Sequence, residues 1–327
     1  MSSGGAESLT SRMSVVEASA GVTPAFEELE QHRSELTAYC YRMLASPFDA
    51  EDAVQDTLVR AWKSIDRFEG RAALRSWLYK IATNVCLDML QSGKRRPRPM
   101  DLGPSAEPIV ENLNVPGEVT WLEPMPDPAD AAVDRETIRL AFVAALQHLP
   151  PRQRAALILC EVLRWQAAEA AELLDTSVAS VNSALQRARA TLETANVPAV
   201  DTGKVDGQLL ERYVAAFEAY DIDALTALIR EDAIQSMPPF DMWLEGRDDI
   251  FTWWLGPGIG CKGSRVIPVR TANGSPAFGQ YKVDPNGGYE PWALQVLEIS
   301  GGRIAELTFF LDTERLFPLF DLPDHLE

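Results

Sequence analysis

No stretch of this 327-residue chain stays apolar for the roughly 20 residues a membrane-spanning helix needs, so a membrane protein is not expected. Histidine is scarce, and His32, His148 and His325 stand far apart. The four cysteines, Cys40, Cys86, Cys160 and Cys261, form no Cys-x-x-Cys pair. A metal site is therefore not supported, and the cysteines, set among apolar neighbours, read as four reduced core residues. No cofactor is expected. The first residues lack the basic and apolar segments of a signal peptide, so residues 1–24 read as a disordered leader of a cytoplasmic protein. Positive charge is also in short supply. Thirty Lys and Arg face 48 Asp and Glu, a net charge of −18, which argues against strong unaided DNA binding.

What is present is organised. At 46% hydrophobic the chain can build real cores, and its length favours two or three domains. The few cations are concentrated between Arg60 and Arg98, where only Asp66, Glu69 and Asp88 oppose them. From Met100 to Asp134 there are eight acids and no Lys or Arg. A basic island in an acidic chain points to local nucleic-acid contact restrained by the remainder.

Residues 25–97 read as helices. Glu28–Leu44 is followed by a break at Ser46-Pro47, then by a helix with Asp49 as N-cap and Ala53, Val54, Thr57, Leu58, Ala61, Trp62 and Ile65 on one face. A third helix runs from Leu74 to Gln91. Residues 97–133 are Pro- and Gly-rich, acidic and aperiodic, as a linker should be. Helices resume to about Ala195, broken at Pro150-Pro151, and a second linker precedes Gln208. Beyond it, three helices give way to strands over Arg265–Arg270, Ala277–Val283, Trp292–Ile299 and Ile304–Leu311, an α+β unit with an antiparallel sheet.

The stretch Asp49–Arg96 has two physical faces: an acidic helix start suited to a basic protein partner, and a basic, aromatic-laced surface suited to unstacked bases. Spacing alone favours core packing for Trp62, Trp77 and Tyr79. The stretch resembles region 2 of the extracytoplasmic-function (group 4) sigma factors, whose helices read D-A-E-D-x-V-Q-[DE]-T-F-x-R-A-W and then R-x-W-L-x-x-I-A-x-N. The resemblance implies that Asp49, Glu51, Asp52, Gln55 and Asp56, with Arg60 and Lys63 at the edge, dock on the β′ coiled coil of core RNA polymerase. It likewise implies that Phe68, Arg71, Arg75, Trp77, Lys80 and Asn84 engage the −10 promoter element, with Lys94, Arg95 and Arg96 on phosphates. Flipping out a base costs a few kcal/mol, which protein pockets must offset.

A second constellation lies at 149–193. A short helix Gln166–Leu174, a turn at Asp175-Thr176 and a helix from Ser177 form a helix-turn-helix pattern. Val178, Val181, Leu185 and Ala188 make its buried stripe, leaving Ser177, Ser180, Asn182, Ser183, Gln186, Arg187 and Arg189 outward. This resembles sigma region 4, which reads the −35 element and meets the polymerase β flap. Many members carry Lys and Arg where Asn182 and Ala184 stand, so a weaker phosphate contribution is expected here.

Between these units, Trp121-Leu122-Glu123-Pro124-Met125-Pro126-Asp127 resembles a motif of sigma factors extended at their C-terminus, with Trp121 and Leu122 as a docked anchor. Residues 207–327 resemble the SnoaL-like (nuclear-transport-factor-2-like) fold, a curved sheet wrapped by helices around a cavity. Some members are cyclases or isomerases that use an Asp base. Here Asp241, Tyr281 and Asp312 are the polar residues available to such a pocket (Glu298 is another), but no histidine lies between His148 and His325. A regulatory role, with a small ligand of unknown identity in the cavity, is favoured over enzymatic activity.

The expected organisation is multidomain: a leader at 1–24, an all-α region 2 bundle at 25–98, an acidic linker at 99–134 and an all-α region 4 helix-turn-helix at 135–196. A second linker at 197–206 leads to the α+β SnoaL-like domain at 207–327. The expected partners are core RNA polymerase and promoter DNA, and no membrane. From Asp201 onward 21 acidic residues face 10 basic ones, a net of −11, so the last domain is expected to regulate the sigma regions in cis. Two other readings stand beside this one: a duplex-binding repressor or activator with a sensor domain, and a cyclase- or isomerase-type enzyme with a helical appendage.

Overall fold

A computed structural model of the chain describes residues 26–68, 73–92, 95–127, 139–194 and 207–327. The leader, the 197–206 linker, Arg71 and Lys94 lie outside the described residues.

The first unit contains α1 (Phe26–Glu30), α2 (Arg33–Leu44), α3 (Pro47–Ser64) and α4 (Leu74–Ser92). Helix α3 starts earlier than expected. Ser46, not Asp49, is its N-cap, its hydroxyl accepting from the Asp49 N–H with Pro47 in the first turn. Asp49 sits in that turn, where its charge suits the positive end of the helix. Ala53, Val54, Leu58 and Ala61 are buried as the period demands, but Trp62 is 50% exposed, meeting Phe26 edge-on at 5.8 Å.

The second unit comprises α5 (Leu140–Leu146), α6 (Pro151–Leu157), α7 (Ala167–Leu173) and α8 (Val178–Thr194), with a π-helical turn over Ile158–Val162 after α6. Val181, Leu185 and Ala188 are buried, whereas Val178 is 44% exposed. Val178 occupies the first turn of α8, ahead of the part that packs on α6 and α7, so the apolar stripe begins one turn later than its spacing implied.

The third unit begins with α9 (Gly207–Ala219) and α10 (Ile222–Leu228) and carries α11 (Arg247–Leu255) and α12 (Thr313–Leu319) around six strands. These are β1 (Ile229–Ser236), β2 (Trp243–Glu245), β3 (Arg265–Pro268), β4 (Ala277–Val283), β5 (Tyr289–Ser300) and β6 (Arg303–Phe310). Their order is β2-β1-β6-β5-β4-β3, and β1 runs parallel to β6. The sheet is mixed, not purely antiparallel as expected, because α10 leads directly into a strand that joins the far side of the β5–β6 hairpin.

Alternation along β4 splits its side chains between two cores. Phe278 faces a cluster with α9 and α11, including Tyr213, Phe217 and Trp254. Ala277 and Tyr281 face the other way, into a cluster that also holds Leu36, Leu78, Leu122, Met125, Val143 and Leu316. That cluster is continuous from the first helices to the last, so all three units share one core through the linker. On this side Gly279 lets the C-terminal tail close in: a Cβ there would lie 2.6 Å from the Leu322 side chain. Cys40 and Cys86 are core residues, while Cys160 and Cys261 are only half-buried, which corrects the expectation of four core cysteines.

Candidate nucleic-acid interface

Helix α3 turns one polar face outward. Glu51, Asp52, Gln55, Arg60 and Lys63 are exposed and Asp56 half-buried, with Arg60 paired to Asp56 at 2.8 Å. Two residues absent from the expected set share this surface, Val59 at 43% and Trp62 at 50% exposure. Val59 and Trp62 place apolar surface beside these charges, Trp62 with one ring edge against Phe26. Asp49 differs from its neighbours: its carboxylate takes a 2.6 Å bond from Arg96.

The described residues expected at the −10 element gather on and around α4, and the basic ones among them are occupied. Arg75 donates to Glu35 at 2.8 Å and lies over the rings of Tyr79 (5.0 Å) and Trp165 (5.7 Å). Trp165 comes from the second unit and also packs against Tyr79, with ring centroids 5.3 Å apart. Lys80 pairs with Asp175 of the helix-turn-helix at 2.8 Å. Arg95 meets His148 at 2.8 Å, and Arg96 reaches Asp49, the Trp121 carbonyl and Glu123. Phe68 and Trp77 stack at 5.1 Å, and Asn84 is exposed. Sequence reasoning missed these partners, Glu35, Trp165, Asp175 and Glu123. The partners come from the second unit, the linker and the first unit itself, not from the acidic sheet domain.

A buried cation joins the two helical units. Arg154 on α6 is 3% exposed and donates to the Met43 carbonyl of α2, to Gln147 Oε1 (2.7 Å) and to the Leu149 carbonyl (3.2 Å). Burial, with no carboxylate among those partners, lowers its pKa to about 10. By contrast, the outer face of α8 is bare. Ser177, Ser180, Asn182, Gln186, Arg187 and Arg189 are exposed and Ser183 half-buried. Arg187 bonds Ser183 at 2.7 Å, and Arg189 pairs with Glu161.

The linker motif is wedged between the first and third units. Leu122 is 2% exposed and Trp121 half-buried. Glu123 accepts from Ser46 (2.5 Å) and Arg315 (2.7 Å). Arg315 in turn lies 4.0 Å over the Phe48 ring. The Met125 N–H donates to Asn273 Oδ1 at 2.8 Å, Asn273 Nδ2 donates to Tyr41 at 2.8 Å, and the Tyr41 hydroxyl donates to the Glu123 carbonyl. Asp127 caps the same loop, accepting from Thr271 and the Gly274 N–H. Three chain segments more than 80 residues apart thus close one ring of hydrogen bonds.

The residues expected around a pocket do not converge. A cavity of about 300 Å³ lies on the α9–α11 side of the sheet, and Asp241, Tyr281 and Asp312 are absent from its wall. Tyr281 points to the opposite side, against Phe317, and its hydroxyl donates to the Pro323 carbonyl. Asp312 pairs with Arg315, and Asp241 offers its backbone N–H to Asn114. No group of His, Cys, Asp and Glu among the described residues is arranged to hold a metal, and no helix among them is long and apolar enough to cross a membrane.

Comparison with known proteins agrees with this layout. The chain matches the family models for Sigma-70 region 2 over residues 29–96, Sigma-70 region 4 over 139–192 and the SnoaL-like domain over 210–307. It is 47% identical over 312 residues to the ECF RNA polymerase sigma factor SigG of Mycobacterium tuberculosis, covering 91% of this chain and 83% of that one. It is 33% identical over 210 residues to SigJ of the same organism, covering 63% of this chain and 62% of that one. The crystal structure of M. tuberculosis SigJ superposes with a TM-score of 0.62 at 22% identity, over 91% of this chain and all of that one, which shows a shared fold. With two sigma regions in order and a full-length relative this similar, the chain belongs to the extracytoplasmic-function sigma factors of RNA polymerase, with a SnoaL-like domain following region 4.

Proposed function

We propose that this sigma factor, acting in the cytoplasm, directs core RNA polymerase to promoters through −10 and −35 elements, and that its SnoaL-like domain holds the free protein closed. In this reading Asp49, Glu51, Asp52, Gln55, Asp56, Arg60 and Lys63 form the polymerase-docking face, joined by Val59 and Trp62. Phe68, Arg71, Arg75, Trp77, Lys80, Asn84, Lys94, Arg95 and Arg96 serve the −10 element, and the outer face of α8 serves −35. Trp121 and Leu122 anchor the linker.

One observation carries the closed form: each described basic residue of the −10 set, Arg75, Lys80, Arg95 and Arg96, is already engaged within the chain. A phosphate backbone must displace those partners before it can use the charge. The individual locks are weak. An exposed ion pair such as Lys80–Asp175 contributes at most about 1 kcal/mol, and a neutral hydrogen bond such as Asn273–Tyr41 about 1 kcal/mol net. Such polar contacts can be exchanged for those of a polymerase interface, while the apolar core shared between the units sets the larger cost of opening. The SnoaL-like domain acts at one remove, gripping the linker at Glu123, Met125 and Asp127.

Run-off transcription with core polymerase tests this, comparing the whole chain with residues 1–200 and with the Asn273→Ala/Arg315→Ala variant, which keeps the domain but loosens its grip. Both should transcribe more than the whole chain. Equal or lower activity from both, at equal folding, sinks closure in cis and leaves the sigma assignment standing.

A further inference from the structure

The cavity of the SnoaL-like domain has a wall that does not belong to that domain. Its floor and sides are aromatic and apolar, including Phe217, Trp253, Trp254, Phe309 and Leu311. Val110 and Leu113 of the linker between the sigma regions complete it. The linker is tied down there on both sides. The Trp243 indole N–H donates to the Gly103 carbonyl at 2.9 Å, the Ala106 N–H to the Trp243 carbonyl at 2.9 Å, and the Asp241 N–H to the Asn114 carbonyl at 3.0 Å.

The polar groups of the wall differ in how far they are committed. Gln280 donates to Ser264 (3.1 Å) and accepts from Gln295 (2.9 Å), and Gln235 Oε1 accepts from the Trp254 indole (2.7 Å). Lys282 is the charged member of the wall. Its ammonium sits 3.5 Å from the centroid of the Trp292 ring, and it pairs with no carboxylate among the described residues. A half-buried cation held on an aromatic face, in a mostly apolar wall whose glutamines are already hydrogen-bonded, is an anion-receiving group. An apolar cavity of about 150 Å³ accommodates one benzene ring, so a space of about 300 Å³ takes two fused rings.

We propose that this cavity binds a planar aromatic anion of about two rings, its carboxylate or phenolate on Lys282 and its rings between the tryptophans, with the linker residues Val110 and Leu113 as part of the seat. Binding adds contacts to the linker only where the linker is docked. By linkage, the ligand favours the docked arrangement and weakens whatever requires the linker to leave. This direction of regulation rests on the closed form proposed above; the site itself does not.

The test titrates the full chain with 2-naphthoate, read by quenching of tryptophan fluorescence, beside the neutral 2-naphthalenemethanol. Saturable binding of naphthoate is expected. Lys282→Gln should weaken it about tenfold while leaving the neutral analogue unchanged, as loss of one charged hydrogen bond predicts. Val110→Asp, at a position already 55% exposed and so safe for folding, should also weaken it. Met237→Trp, which fills the cavity, should abolish binding of both probes at an unchanged melting temperature. Absence of naphthoate binding, or equal binding by Lys282→Gln, overturns the site, and indifference to Val110→Asp overturns the linker's share in it. If the site holds but the holoenzyme binds naphthoate as tightly as the free chain, then the closed form has failed, not the site.

Discussion

Regions 2 and 4 of this protein carry the same kind of work and stand in opposite states. On region 2 Arg75, Lys80, Arg95 and Arg96 are held by Glu35, Trp165, Asp175, His148, Asp49 and Glu123. On region 4 the outer face of α8 is open, its arginines meeting only Ser183 and Glu161 of the same region. The difference teaches where control can act. Trp165 and Asp175 precede α8 in the chain, so region 4 meets region 2 while the outer face of α8 stays exposed. A free chain of this design could touch duplex DNA through α8, but with few cations and a net charge of −18 it would do so weakly.

The largest effect should come from breaking the cover. Trp165→Ala with Asp175→Lys removes one cation–π contact and one ion pair and places like charges together. At roughly 1 kcal/mol each, about 2 kcal/mol together, run-off transcription by the free sigma added to core polymerase should rise about thirtyfold. No gain, in a variant that still folds, would show that region 2 is not limited by this contact. Asp175→Asn alone should give less than about a fivefold rise, since an exposed pair contributes under ~1 kcal/mol. A smaller change sharpens the other side of the comparison. Asn182→Lys adds a cation to the bare helix and should steepen the dependence of log K on log salt for a −35 duplex by about 0.9. The slope should change equally in the whole chain and in the opened Trp165/Asp175 variant. A change confined to the opened form would mean that α8 is covered after all.

How much of this was readable in advance depends on the range of the interaction. The helices α3, α4, α7 and α8 and the strands β4 to β6 follow local period, and their positions agree with the pattern to within a few residues. The two missed strands have local reasons. Strand β1 reads Ile-Arg-Glu-Asp-Ala-Ile-Gln-Ser, too polar to alternate, because a bulge resets its register against β6 between Ile229 and Ile234. Strand β2 has three residues. Trp62 and Val178 were placed in the core because spacing shows which face a residue shares, not whether a neighbour covers that turn. The surfaces of α3 and α8 were legible for the same reason, as what remains when the buried stripe is removed. The pairs that close region 2 join residues 27 to 95 positions apart, and Asn273 to Tyr41 spans 232. No periodicity encodes such a pair.

The smallest expected effect concerns the point where the chain leaves region 2. Glu306 on β6 shares a narrow crevice with Pro97, Arg98 and Leu122. Burial raises its pKa, the Arg98 charge opposes that, Glu298 and Asp101 reinforce it, and the Thr308 hydroxyl (3.4 Å) opposes it. A carboxyl with a raised folded-state pKa contributes stability below its ordinary range, and that contribution is lost as pH rises through the raised value. Once ionised, Glu306 is therefore a cost on the docked linker. Glu306→Gln should raise the melting temperature at pH 8 by about 2–4 °C, the shift that roughly 1 kcal/mol makes in a domain of about 150–250 residues. The gain should vanish as pH falls towards the ordinary glutamate range, where the native side chain is also neutral. Calorimetry at pH 8 and pH 5 reads both. A lower melting temperature at pH 8 would mean that the attraction to Arg98 outweighs burial, and that acid loosens the exit from region 2 instead of tightening it.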